Sequence, residues 1–384
     1  MRKAIVVFVL LGLVSLFADM TYEGALSIRG SYLEILGAPI IVAGLINIGW
    51  LVSYGSRFLS GVLSDYLRKP IILWVLTVTG YLINVIVVPL LAFTNRWELV
   101  LVLIVLERFG KGLRAPARDV ILAEVSEGIG KGLGFGIHEA MDQAGAVLGP
   151  LLASLILVAS NQDYPRVFLM LGVPGAIAVV LAIIAWSTYP QPSSLATRKS
   201  MLGFKGLTRS YYMYTVGFFL FSLGFISWDI ISYHAKNIGL RGDYIALLYS
   251  IAMLVDGLLA VPSGLLYDRV GVKSTILAPL ASMAAGIAFT VFIDGNPLIM
   301  AFTWGLAMGV FETNIRVAVS DLVPAEKRAF AYGFYGLVEG LAMLVGGVIQ
   351  SILIAENTVL LVIYIVITEL SSLIIFSRIS RILD

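Results

Sequence analysis

The chain has 384 residues, of which 59% are hydrophobic and 13% charged, with a net charge of +2. A water-soluble domain of this composition would lack the polar surface to stay dissolved, and lysines and arginines placed in the loops flanking the apolar runs argue against a nucleic-acid-binding face. Cysteine is absent, which removes disulfides and thiolate chemistry.

The mean hydropathy of +0.96 comes from apolar runs of about 20 residues, long enough to cross a hydrocarbon core of about 30 Å as helix. Met1-Arg2-Lys3 before Ala4–Phe17 has the charge of a signal peptide. No small-residue cleavage site follows, and the run continues into Asp19, Tyr22 and Glu23, so it reads as a first span. Reading from breaker to breaker predicts twelve spans. The first six cover about 4–33, 40–64, 70–93, 97–121, 132–160 and 165–188. The second six cover about 211–235, 243–267, 272–294, 296–321, 328–354 and 358–379.

Tyr189–Ser210 is the one long polar stretch, and it divides a unit 1–188 from a unit 211–384 as a linker, 189–210. Arg2, Lys3, Arg68, Lys69, Lys131, Lys199, Arg269, Lys327 and Arg378 fall at one set of span ends. The other set holds only Arg96, Arg166, Lys236 and Arg241. By the positive-inside rule both termini and the linker are cytoplasmic.

A charged loop occurs twice, as Gly61-Val-Leu-Ser-Asp65-Tyr-Leu-Arg68-Lys69 and as Gly264-Leu-Leu-Tyr-Asp268-Arg269-Val-Gly271-Val-Lys273. Tyr332–Gly347 on span eleven likewise echoes Phe135–Pro150 on span five. One six-helix unit used twice is the plan of parallel-repeat secondary transporters. At these residues the whole chain resembles the major facilitator superfamily. Both loops are similar to its Gly-x-x-x-Asp-(Arg/Lys)-x-Gly-(Arg/Lys)-(Arg/Lys) motif, although the first copy has Tyr66 and Arg68 where a base and a glycine are usual. Arg108-Phe-Gly110-Lys111-Gly112 looks like its Arg-x-x-x-Gly motif. Gly136, Gly145 and Gly149-Pro150 look like the motif of its drug:proton antiporters, with Ala153 and Ser154 replacing the final glycine pair. The resemblance implies an all-α integral membrane protein with two pseudo-symmetric six-helix bundles, and a pathway lined by spans one, four, seven and ten. Tyr22, Phe109, Phe218, Phe221, Trp228, Tyr233, Met308 and Phe311 lie on those spans.

The repeated loops predict gates, in which Asp65 or Asp268 caps a helix or pairs with Arg114 or Arg118, supported by Gly61, Gly264, Arg68 and Arg269. The competing reading is turn chemistry and topology alone. Gly136, Gly145, Gly149 and Pro150 predict either a bend and seal between the halves or ordinary small-residue packing. Intramembrane charge is costly and so points to a cavity or a partner. The deep charges are Asp19 and Glu23, Arg108 and Lys111, and His138, Glu139 and Asp142. In the second half they are sparser: Asp229 on span seven, Asp256 on span eight, Glu312 and Arg316 on span ten, and Glu339 on span eleven. Asp19, Glu23 and Asp142 are expected to carry protons or contact cations, with Arg108 modulating them; a static ion-pair network is the alternative. His138 suits either a packed hydrogen-bonding role or a proton relay.

The function expected is proton-coupled export of small amphipathic or cationic compounds by rocker-switch alternating access, from a prokaryotic plasma membrane. The alternative is a symporter or facilitator for a small nutrient or cation. The partners expected are a small-molecule substrate, protons and the bilayer, with the chain working as a monomer. No cofactor is expected. With two histidines and no cysteine a soft-metal site is not expected, and no His-Glu-x-x-His set or activated serine marks an intramembrane enzyme.

Overall fold

The computed structural model describes residues 2–67, 69–192 and 203–383, and the regular structure among them is helical. In chain order the first half gives α1 (Arg2–Ile35), α2 (Ile41–Leu45), α3 (Ile48–Leu67), α4 (Pro70–Leu90), α5 (Trp97–Val125), α6 (Lys131–Ala159) and α7 (Tyr164–Thr188). The second half gives α8 (Arg209–Gly224), α9 (Trp228–Asn237), α10 (Gly242–Val270), α11 (Leu277–Phe292), α12 (Pro297–Val310), α13 (Arg316–Leu322), α14 (Arg328–Glu356) and α15 (Thr358–Leu383). Punctuation follows side-chain chemistry. Pro70 and Pro297 sit in the first turns of α4 and α12, where the missing N–H costs nothing. Asp163 and Thr208 accept from the amides of Arg166 and Tyr211 at 3.1 Å, capping α7 and α8.

Nine helical stretches among the described residues are long and apolar enough to cross a membrane, one of them the 51-residue Gly242–Phe292. Expected spans two and four are not among these. The first is interrupted between α2 and α3 at Ile46–Asn47, and α5 carries Glu98, Glu107, Arg108, Lys111, Arg114, Arg118, Asp119 and Glu124. Two further expected spans are helical only in pieces. Span seven breaks at Phe225–Ser227, between α8 and α9, and span ten runs from α12 through a π segment at Phe311–Ile315 into α13.

The described residues form two compact units. One is drawn from Met1–Gly37, Val52–Thr197 and Arg241–Ser250. Here α1 packs on α6 and α7, and α4 on α5 and α7. Val7, Leu11, Trp74, Ile121, Leu122 and Ala185 form its core at one end, and Val14, Ala18, Tyr81, Ala178 and Ala182 form a second cluster. Apolar burial does not drive helices together in lipid, so close approach must come from small residues. A Cβ added at Gly145 or Gly149 of α6 would stand 2.3 Å from the carbonyl oxygen of Leu16 or Met20 in α1.

The other unit is drawn from Ala38–Leu51, Arg198–Leu240 and Ile251–Asp384. In it α14 packs on α2 and α8, and α15 on α8 and α11. The same device recurs at Gly347, whose added Cβ would lie 3.0 Å from the carbonyl oxygen of Gly44. Of the expected linker, residues 193–202 lie outside the described residues. Its last part docks on α14, where Phe204 meets Phe330 and Phe334 edge-on at 5.0 and 5.1 Å.

Candidate functional site

The first unit concentrates charge on one face of α5. Glu107, Lys111, Arg114 and Arg118 recur at spacings of four, three and four, so they form a single stripe. Arg114 Nη1 donates to Asn84 Oδ1 at 2.7 Å, and Asn84 Nδ2 donates to Glu107 Oε1 at 2.6 Å, so one buried amide bridges a base and an acid. Arg108 Nε lies 3.8 Å from Glu107 Oε2.

The acids of α1 face this stripe. Asp19 lies 3.9 Å from Arg114 Nη2, and Glu23 lies 3.9 Å from Lys111 Nζ. Both separations exceed hydrogen-bond reach, so these contacts are held by charge more than by directed bonds. Tyr22, between the two acids in sequence, presents its ring to Lys111 Nζ at 3.7 Å and to the Arg108 guanidinium at 4.6 Å, two cation–π contacts on one ring. The Arg114 guanidinium stacks similarly on Tyr81, 4.3 Å from its centroid. Exposure grades the cluster, since the Arg114 side chain is 3% exposed and that of Lys111 23%.

On α6, Asp142 accepts from Ser15 of α1, and Arg118 reaches the same serine at 3.5 Å. Asp142, Glu23 and Lys111 all lie within electrostatic range of Asp19, so the expected acids of spans one and five are brought together. His138 is buried, and neither ring nitrogen has a hydrogen-bond partner among the described residues. That differs from the packed hydrogen-bonding role. Glu139 is exposed on the neighbouring face of α6.

Other expectations fall differently. Arg114 and Arg118, expected near a gate, are engaged by Asn84 and Asp19 and by Asp119 and Ser15. The gating roles of Asp65 and Arg68 concern side chains outside the described residues. Asp268 and Arg269 are exposed, while the preceding Tyr267 donates to Asp321 at 2.6 Å. Gly61 faces open space, and a Cβ at Gly264 would meet only Thr313 Cγ2 at 3.7 Å, so close packing does not require glycine at either position. Gly136 also faces open space, whereas Gly145 and Gly149 seal α6 to α1 within one unit. Pro150 sits inside α6 without ending it.

The second unit is aromatic where the first is charged. Phe218 of α8 stacks on Tyr335 of α14 at 4.1 Å and on Phe311 of the π segment at 6.0 Å. Phe221, Phe225 and Trp304 extend the stack, and Trp228 meets Trp304 edge-on at 5.3 Å. Of the expected aromatic lining, Phe218, Phe221, Phe311 and Trp228 are therefore buried against one another, whereas Phe109 is exposed on α5. Asp229 lies buried in the first turn of α9, Glu339 is buried on α14, and Glu312 lies in the π segment. These three belong to the second unit.

The repeat, the helical units and the charged motifs accord with the sequence comparison. The family model described as Major Facilitator Superfamily matches residues 8–234 and 213–379. The chain belongs to the major facilitator superfamily. Relatives include an uncharacterized protein of Mycobacterium bovis, 33% identical over 373 residues (94% of this chain, 90% of the relative). An uncharacterized MFS-type transporter of Methanocaldococcus jannaschii is 29% identical over 90% of this chain and 87% of its own. Among solved structures, the nucleoside transporter NupG is similar with a TM-score of 0.72 at 14% identity, over 98% of this chain and 99% of that one. A sulfate-bound peptide transporter POT is similar at 0.74 and 13%, over 97% and 93%. At such identities the likeness is one of fold.

As a superfamily member the protein is a multi-pass membrane transporter and not an enzyme. Several residues of its polar network escape a reading by motif. Glu107 and Asn84 form the bridge to Arg114, and Tyr249 of α10 donates to Glu23 Oε2 at 2.7 Å. Glu107 was within reach of helical periodicity, four residues before Lys111. Asn84 and Tyr249 carry no local signal, because their partners lie 23 and 226 residues away.

Proposed function

We propose that this transporter exports small amphipathic or cationic compounds in exchange for protons, by rocker-switch alternating access. In this reading it has twelve spans in the plasma membrane of a prokaryote, with termini and linker cytoplasmic, bundles at 1–188 and 211–384, and a monomeric working form. The supporting observation is the loose pairing of Asp19 and Glu23 with Arg114 and Lys111, each at 3.9 Å. A proton or an organic cation can replace a base at that distance without breaking a directed hydrogen bond. Lys111, the more exposed base, is the first to yield. Tyr22 would hold an incoming cation as it now holds Lys111, by cation–π contact. Each proton moving inward through about 100 mV releases about 2.3 kcal/mol, enough for modest uphill export.

The test is flux in proteoliposomes under an imposed pH gradient, with ethidium as cationic probe and nucleosides, dipeptides and sugars as comparisons. Ethidium-dependent proton counterflow that disappears in Asp19→Asn or Glu23→Gln supports the proposal. Flux indifferent to the pH gradient and to both substitutions would sink it, and uptake of a nutrient down the proton gradient would replace it with the symport alternative.

A further inference from the structure

The second unit holds an acid that the export proposal does not use. Glu369 is the twelfth of the 26 residues of α15, near its middle, and is fully buried. Its Oε1 accepts from the Ser282 hydroxyl of α11, and its Oε2 has no hydrogen-bond partner among the described residues.

Among the described residues no base is paired with this carboxyl; Arg378 and Arg381, nine and twelve residues further along α15, are exposed. The elements packed on α15 are α8, α11, α14 and the turn Gly271–Ile276. α11 has no charged residue. The only charge on α8 is Arg209, at the far end from Gly224, where the helix abuts Glu369. That separation is about 22 Å along the axis. Lys273 of the turn is exposed, and α14 contributes Arg328, Glu339 and Glu356. None of these is an electrostatic neighbour of Glu369. Among the described residues its neighbours in that sense are Ser282 and Tyr364.

The chain end facing it is also unfavourable to an anion. Gly224 closes α8, and a Cβ added there would lie 2.8 Å from Glu369 Oε1 and 2.5 Å from Thr368 Oγ1. A helix C-terminus carries partial negative charge, which repels a carboxylate. Immediately beyond, the chain is non-helical at Phe225–Ser227. The acids of the first unit stand in contrast, since Asp19, Glu23 and Glu107 each have a base within 4 Å. An uncompensated ion at the bilayer centre is costly. A neutral acid with one hydrogen bond avoids that cost.

We propose that Glu369 is a proton-binding site of the second unit, closed by Ser282 and by the end of α8 at Gly224. The proton is carried on Oε2. When the end of α8 withdraws at the break in span seven, water enters, the Oε2–H bond breaks and the proton leaves along that water as hydronium. The Ser282 hydroxyl and the remaining water then donate to the carboxylate. This site does not rest on the export reading, and the test is independent of transport.

The test is infrared absorption of the full chain reconstituted in lipid at neutral pH, in the carbonyl-stretch region of protonated carboxylic acids. The expected wild-type spectrum contains a band of about one carboxyl group per chain that is missing in Glu369→Gln. Ser282→Ala, which keeps the acid, should move the band to higher wavenumber, because a carbonyl that loses a hydrogen bond stiffens. Transfer to D2O should shift the band as the proton exchanges. If Glu369→Gln does not assemble, the Ser282→Ala and D2O shifts carry the test alone. A band unchanged by both, or loss of a carboxylate stretch instead of the acid band in Glu369→Gln, overturns the proposal.

Discussion

Replacing Tyr249 by phenylalanine should loosen the first turns of α10 by a predictable amount. Residues 241–250 belong to the first unit through a small set of contacts. Gln162 accepts from the Gly242 amide at 2.8 Å and donates to Asp243 at 2.7 Å, Tyr249 donates to Glu23 at 2.7 Å, and Ser250 donates to the Val147 carbonyl at 2.9 Å. A hydrogen bond to a charged group contributes about 1.5–3 kcal/mol, whereas one between neutral groups contributes about 0.5–1.5 kcal/mol. At about 1.4 kcal/mol per tenfold, Tyr249→Phe should raise the open fraction of this segment by about 10- to 150-fold, and Ser250→Ala by about 2- to 12-fold. Hydrogen–deuterium exchange by mass spectrometry on the reconstituted protein reads both, in peptides covering 241–250. Exchange in Tyr249→Phe no faster than in Ser250→Ala would refute the view that Glu23 anchors this segment as an anion.

Asn84→Leu should lower thermal stability in detergent by about 3 kcal/mol, because two buried charge-assisted bonds lose their shared partner; a loss below about 1 kcal/mol would show the bridge idle. Gly149→Ala should cost about 1–3 kcal/mol, since its Cβ would be driven into the Met20 carbonyl. Gly136→Ala, in open space, should be neutral or gain up to about 1 kcal/mol, by the same thermal measurement. Gln350 donates to the carbonyls of Leu223 and Phe225 at 2.9 and 3.3 Å. Gln350→Leu should therefore speed hydrogen exchange at residues 223–227 while leaving α1 unchanged.

The helical units and the Asp19–Glu23 pair were legible because both rest on periodicity. The stripe of Glu107, Lys111, Arg114 and Arg118 has the same helical spacing, but only Lys111 of the four stands among the deep charges in the sequence reading. The motif alone points Arg114 to a gate. Its partner Asn84 is a neutral residue in an apolar run, and a motif draws attention to charges. The interruptions were not legible. Phe225-Ile226-Ser227 contains no glycine or proline, and Ile46–Asn47 is equally plain. The Ile46–Asn47 turn is closed by local backbone bonds, such as the Asn47 amide to the Gly44 carbonyl at 3.1 Å, whereas the break in span seven is met by donors elsewhere in the chain. Gln350, Tyr364 and Trp304 meet the carbonyls of Leu223, Phe225 and Ile226, and Asn47 donates to Ser227 at 3.2 Å. Glu369 carries no signal in the sequence, because a lone acid in the last apolar run has neither a motif nor a charged residue nearby in sequence to mark it.

The break in span seven therefore has an address written in other helices. A chimera that swaps residues 209–237 for those of a relative would carry the strand of amino acids but not the side chains that hold its carbonyls. Unless the residues at 304, 350 and 364 travel with it, the transplanted segment should revert to a continuous helix. Directed evolution confined to this segment would meet the same barrier, whereas variation at those three distant positions could move the joint or abolish it without altering a single residue of the span.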